Sequence, residues 1–182
     1  MPKAEPQSVI AAALLRLLAK NTWSSLTLSA VARSAKLPLA QMFALAPSKP
    51  ALVGVVLREL GRATAERYKP DRESRDPRER IFDVAMTWFD VQQRHKKALR
   101  NLYGGLRRDP FALMAARRDI LASAEWLLAL AEADSGASLP WKIAAFAGVL
   151  ARATSVWLDD DAGAEKTMAQ LDRDLGRIAR LL

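Results

Sequence analysis

Thr27-Leu28-Ser29-Ala30-Val31-Ala32-Arg33-Ser34-Ala35-Lys36-Leu37-Pro38-Leu39-Ala40-Gln41-Met42-Phe43-Ala44-Leu45 carries the strongest local signals of fold in the chain. Thr27 places a hydroxyl just ahead of Leu28, Val31 and Ala32, a spacing that predicts a capped helix with one apolar face. Lys36-Leu37-Pro38 breaks that helix. Pro38 suits the start of the next one, because the first turn of a helix leaves its N–H groups without partners. The sequence therefore predicts two short helices joined by a tight turn, the second over 39–45.

Working outward, Val9, Ile10, Ala13, Leu14, Leu17 and Leu18 recur at helical spacing, with Arg16 and Lys20 on the other side, and predict an amphipathic first helix. Pro47-Ser48-Lys49-Pro50 marks a further start, with Ser48 as cap, for a long helix reaching toward Tyr68. The charged run from Lys69 to Arg80, with Pro70 and Pro77, reads as a solvated connection. Further helices are predicted near 77–94, 96–107, 110–133, 139–159 and 164–181. The fold class is all-α: a three-helix head over residues 1–50 and a larger helical body over 51–182, which ends in a two-helix dimerisation unit.

Half of the 182 residues are apolar and a quarter are charged, a composition that buries a core without help. The absence of cysteine excludes disulfides, thiolate metal sites and Cys nucleophiles. With His95 as the single histidine, no glycine-rich phosphate loop and no HExxH, neither an enzyme nor a cofactor is expected. Asp159-Asp160-Asp161 lacks the spaced ligands of a calcium loop and reads as capping of the next helix, so no metal is expected. No apolar run is long enough to span a membrane, and the expected location is cytoplasmic.

Residues 1–60 carry seven Lys and Arg against two Asp and Glu, a net +5, while the remaining residues carry 21 against 18. A local positive field of that kind suits phosphate or anionic lipid. Arg94, Lys96, Lys97, Arg100, Arg107 and Arg108 form a second basic stretch, read first as a solvated face and second as a contact for DNA backbone or lipid.

Two seams close the chain: Ile143, Phe146, Leu150, Ala153 and Trp157, then Met168, Leu171, Leu175, Ile178 and Leu182. Each wants a partner helix. A second copy explains both, so Phe146, Leu150, Trp157, Leu171, Leu175 and Ile178 are the expected homodimer interface. Met86, Trp88, Phe89, Tyr103, Phe111, Met114 and Trp126 supply bulk, in part with polar handles, for a small apolar or lipid ligand.

Ile10 to Ala19, Trp23, Leu26-Thr27-Leu28, Val31-Ala32, Ala35 and Pro47-Ser48-Lys49-Pro50-Ala51-Leu52 resemble, in order and spacing, the head of TetR-family transcriptional regulators. That resemblance implies a dimeric regulator whose third helix enters the DNA major groove, with Thr27, Lys36, Gln41, Phe43 and Lys49 toward DNA. It also implies that ligand in the body alters the spacing of two heads. The chain departs from the family where Lys36 replaces the usual turn glycine and Phe43 the usual phosphate-reaching tyrosine. Leu39, Ala44 and Leu45 are apolar where polar groups are usual. Such a helix packs on the protein itself, meets a membrane or protein partner, or docks on DNA through phosphates.

A second resemblance lies in Trp157-Leu158-Asp159-Asp160-Asp161, Lys166-Thr167-Met168 and Leu171-Asp172-Arg173, with Arg80, Trp88-Phe89-Asp90, His95-Lys96 and Leu99 upstream. These are similar to the lipid-binding accessory protein of coenzyme Q biosynthesis, a TetR-like fold without DNA binding. It implies a lipid ligand and membrane-surface contact by the amphipathic stretch from Met168 to Leu182.

Overall fold

The computed structural model describes residues 5–70, 76–160 and 163–179. Among the described residues the regular elements are helices: α1 (Pro6–Leu18), α2 (Leu28–Ala35), α3 (Leu39–Leu45), α4 (Ala51–Arg67), α5 (Pro77–Gln92), α6 (Lys96–Arg108), α7 (Pro110–Leu130), α8 (Leu139–Asp159) and α9 (Glu165–Ile178), with one 3-10 turn at Gln93–His95. By packing, the chain divides into residues 1–60 with 94–119, and residues 61–93 with 120–182.

In the first unit α1 opens on Pro6, which has no N–H to leave unpaired, and buries Ile10, Leu14 and Leu18. Thr27 Oγ1 accepts the Ala30 N–H at 3.2 Å and caps α2 as its position predicts. The turn after α2 is closed by Lys36 in the left-handed region, φ 55°, and Leu37 donates back to the Ala32 carbonyl at 3.0 Å. Met42 is the fully buried residue of α3, and Ser48 Oγ accepts the Ala51 N–H at the head of α4.

The contact that sequence periodicity does not reveal is α6 on α1. Leu99, Leu102 and Leu106 form the inner face of α6, and Asn101 donates to the Leu18 carbonyl at 2.7 Å, satisfying a C-terminal group of α1 from 83 residues away. Gly105 is required here, because a Cβ would collide with the Trp23 side chain at its root. A boundary at residue 50 marks off the three-helix head, whereas the packed unit also contains residues 94–119.

The second unit is built on α5, α8 and α9, each of which packs on the other two. Phe89 of α5 meets Trp157 of α8 with ring centroids 5.8 Å apart, and the Trp157 indole N–H donates to Gln93 Oε1 at 3.1 Å. Phe146, Leu171 and Leu175 are wholly buried and Trp157 nearly so. This corrects the expected interface: four of its six residues are consumed inside one chain, because α8 and α9 present their seams to each other and to α5. Leu150 and Ile178 are half-buried. The same burial corrects the expected membrane face, since Leu171 and Leu175 are unavailable to lipid; Leu182 lies outside the described residues. Among the described residues no helix is long and apolar enough to cross a membrane.

α9 starts without a cap of its own, at Ala164 in a left-handed conformation. Asp160 supplies one from a distance: its carboxylate accepts the Thr167 N–H and the Thr167 hydroxyl, both at 3.0 Å. Capping is thus the role of the acidic run at Asp160; Asp161 lies outside the described residues. The Thr167 N–H foremost, and then its hydroxyl, outweigh burial and hold the Asp160 carboxyl below its ordinary value of 3.8. A depressed pKa in the fold means that the stabilisation is complete above the unfolded value and is lost as pH falls through the lower folded value. Thermal melts of wild type and Asp160→Asn are expected to differ at neutral pH, the variant melting lower, and to converge once pH drops well below 3.8. Equal melting at neutral pH would contradict this capping role.

Candidate nucleic-acid interface

The five residues expected to face DNA all belong to the first unit. Thr27, Lys36, Gln41 and Phe43 are exposed, and Lys49 is half-buried. Lys49 is held by two contacts: its ammonium donates to the Ser24 carbonyl at 3.3 Å and lies 4.8 Å from the centre of the Trp23 ring. Burial lowers its pKa from the usual lysine value, and the Asp109 carboxylate pulls in the opposite direction. Trp23, wedged against Gly105, thereby fixes a cation at the start of α4.

The apolar side of α3 is not packed away. Leu39 is 54% and Phe43 65% exposed, Ala40, Gln41 and Ala44 are exposed, and Leu45 is half-buried. Of the three explanations for an apolar helix here, packing on its own unit is therefore removed. Met42 alone is buried in α3; Ala40 lies nearly opposite it around the helix and Phe43 about a quarter turn away.

Charge is divided sharply between the units. Residues 1–60 with 94–119 carry 15 Lys and Arg against 4 Asp and Glu, a net +11, whereas residues 61–93 with 120–182 carry 13 against 16, a net −3. Reading the sequence in order hid this, because the second group of cations lies in α6 and the start of α7. Arg94, Lys97, Arg100, Arg107, Arg108, Arg117 and Arg118 are exposed. The stretch from Arg94 to Arg108 stands out as basic in the sequence; the signal that could have joined it to the head is the leucine stripe of α6, which needs a helix to lie on. Three of the unit's four acids are occupied locally: Glu59 accepts from Ser8 at 2.8 Å, Asp119 pairs with Arg58 at 3.0 Å, and Asp109 caps the Ala112 N–H at 2.9 Å.

The seven residues expected to line a ligand site are not brought together in this way. Trp88 and Phe89 are core and Met86 is half-buried in the second unit, where Trp126, 49% exposed, donates to the Gly61 carbonyl at 3.4 Å. Tyr103, Phe111 and Met114 belong to the first unit. Tyr103 is half-buried, with the Arg107 guanidinium 5.9 Å from its ring centre. Phe111 is 87% and Met114 70% exposed, which corrects their assignment to an enclosed site: Ala112 and Ala116 carry the inner face of α7 and turn both outward.

A short capped helix, a tight turn and a second short helix, set on a basic unit, together with a separate unit of α5, α8 and α9, make up the fold of TetR-type transcriptional regulators. The chain is similar to a TetR transcriptional regulator from Nitrosomonas europaea ATCC 19718, at 16% identity and a TM-score of 0.66, over 96% of this chain and 98% of that one. It is similar to another from Rhodococcus sp. RHA1, at 13% identity and a TM-score of 0.65, over 95% and 94%. A third is the TetR family repressor AlkX from Dietzia sp. strain DQ12-45-1b, implicated in biodegradation of n-alkanes, at 17% identity and a TM-score of 0.57, over 99% and 96%. No protein-family model matches the chain, and no curated protein matches it in sequence. At these identities the likeness is one of fold. Residues that resemble the quinone-synthesis accessory protein have structural roles here: Trp157 packs on Phe89, and Asp160 caps α9 through Thr167.

Lys36 connects strain to charge. A non-glycine residue at φ 55° is disfavoured by its Cβ, and glycine removes that cost. Lys36→Gly is expected to raise stability by about 1 kcal/mol while lowering the salt slope of duplex binding by about one unit, the signature of one lost phosphate contact. A variant that is stabilised with an unchanged salt slope would remove Lys36 from the interface.

Proposed function

We propose that the chain is a transcriptional regulator that binds duplex DNA through its first unit. The observation that carries this reading is the net +11 of the unit that also presents α3, beside a net −3 for the rest. Duplex DNA offers one negative charge per about 1.7 Å of helix axis, and each phosphate neutralised releases counterions. Exposed arginines on α6 and α7, Lys36 at the turn and Lys49 on Trp23 supply such contacts, while α3 supplies the element of a size that enters a major groove.

The same reading gives the chain a second copy of itself as partner and a small apolar ligand for the second unit. With Phe146, Trp157, Leu171 and Leu175 spent inside the chain, the dimer uses what α8 and α9 leave exposed, including Trp141 at 74% and Met168, at the edge of its seam, at 43%. Two heads then meet two half-sites related by the dimer's own symmetry.

The test is binding of purified protein to duplex from its own upstream region against a scrambled duplex, at two salt concentrations. Preference for the first duplex that survives added salt is the expected outcome. Equal binding to both, erased by salt, would contradict regulation by sequence recognition.

A further inference from the structure

Resting on the DNA-binding reading, we propose that α3 selects A·T base pairs by their thymine methyl groups, with Gln41 taking the adenine. Leu39, Ala40, Phe43 and Ala44 stand at i, i+1, i+4 and i+5 and form one exposed face of the helix, away from buried Met42. Gln41, at the edge of that face, is the one side chain of α3 with a hydrogen-bonding amide; the other six are apolar.

The major-groove edges of the bases decide what such a face can read. Guanine presents two acceptors, matched by Arg or Lys, and cytosine an amino donor, matched by Asp or Glu; α3 contains none of the four. Thymine presents a methyl group, and adenine a donor beside an acceptor that a glutamine amide matches with two hydrogen bonds. An apolar face with one edge amide is therefore complementary to A·T pairs. It leaves the groups of a G·C pair desolvated and unpaired.

Seven residues rise about 10 Å, the length of about three base pairs. The cations of the unit provide affinity for any duplex, so α3 has only to discriminate. Burying one methyl group is worth about 0.8 kcal/mol, about fourfold in affinity, for each thymine contacted.

The experiment compares three duplexes of equal length: one rich in A·T, the same duplex with every thymine replaced by deoxyuridine, which differs only in lacking the methyl, and one rich in G·C. Wild type is expected to prefer the first and to lose about fourfold per contacted thymine on the second. Phe43→Ala is expected to shrink the difference between thymine and deoxyuridine while keeping salt-dependent binding to all three duplexes. Should the variant fail to fold, the wild-type comparison decides alone. A preference for A·T that is unchanged by deoxyuridine overturns methyl reading and leaves the regulator standing. Equal, salt-erased binding to all three overturns both. Binding to phosphatidylglycerol vesicles that depends on Phe43, without discrimination among duplexes, assigns the face to a membrane and also overturns the proposal.

Discussion

The packing of α6 on α1 is the contact on which the character of the first unit depends. Leu99, Leu102 and Leu106 provide the apolar face, and Gly105 lets that face approach Trp23. Fully burying a leucine side chain is worth about 1.5–3 kcal/mol. This stripe therefore holds a helix whose opposite side is almost entirely cationic. Without it the first sixty residues carry a modest +5; with residues 94–119 the unit reaches +11. The same contact places Trp23 under Lys49, so one packing event both gathers charge and orients a cation at the start of α4.

On the proposed DNA-binding reading, charge and discrimination are thereby separated. Exposed cations on flexible stems give an attraction that is long in range, indifferent to sequence and sensitive to salt. The short α3 carries almost no polarity and contributes contact chemistry instead. An exposed Phe43 and Leu39 are costly to leave in water on a protein with ample charge elsewhere, which is why the face calls for an occupant.

Much of this was legible in the sequence. Caps at Thr27 and Ser48 and the break at Lys36-Leu37-Pro38 are local signals, set by which backbone groups lack partners, and the helix ends follow them closely. Periodicity gave the seams of α8 and α9 but not their partner, because a 3,4 spacing is the same whether the facing helix belongs to the same chain or to another. Bulk gave Phe111 and Met114 as lining residues, yet bulk alone does not say which side of α7 faces inward; two alanines do that. The basic stretch from Arg94 to Arg108 was visible, but its joining to the head was not, since charge counted along the chain averages across segments that the fold regroups.

Backbone amide hydrogen exchange on the full chain, with and without an A·T-rich duplex, locates the surface that DNA covers. DNA is expected to slow exchange in α3 and in the turn at Lys36, with the outer side of α6 next, and to leave α8 and α9 unchanged. Protection confined to α8 and α9, or none in α3 under conditions where the duplex is bound, would contradict this expectation.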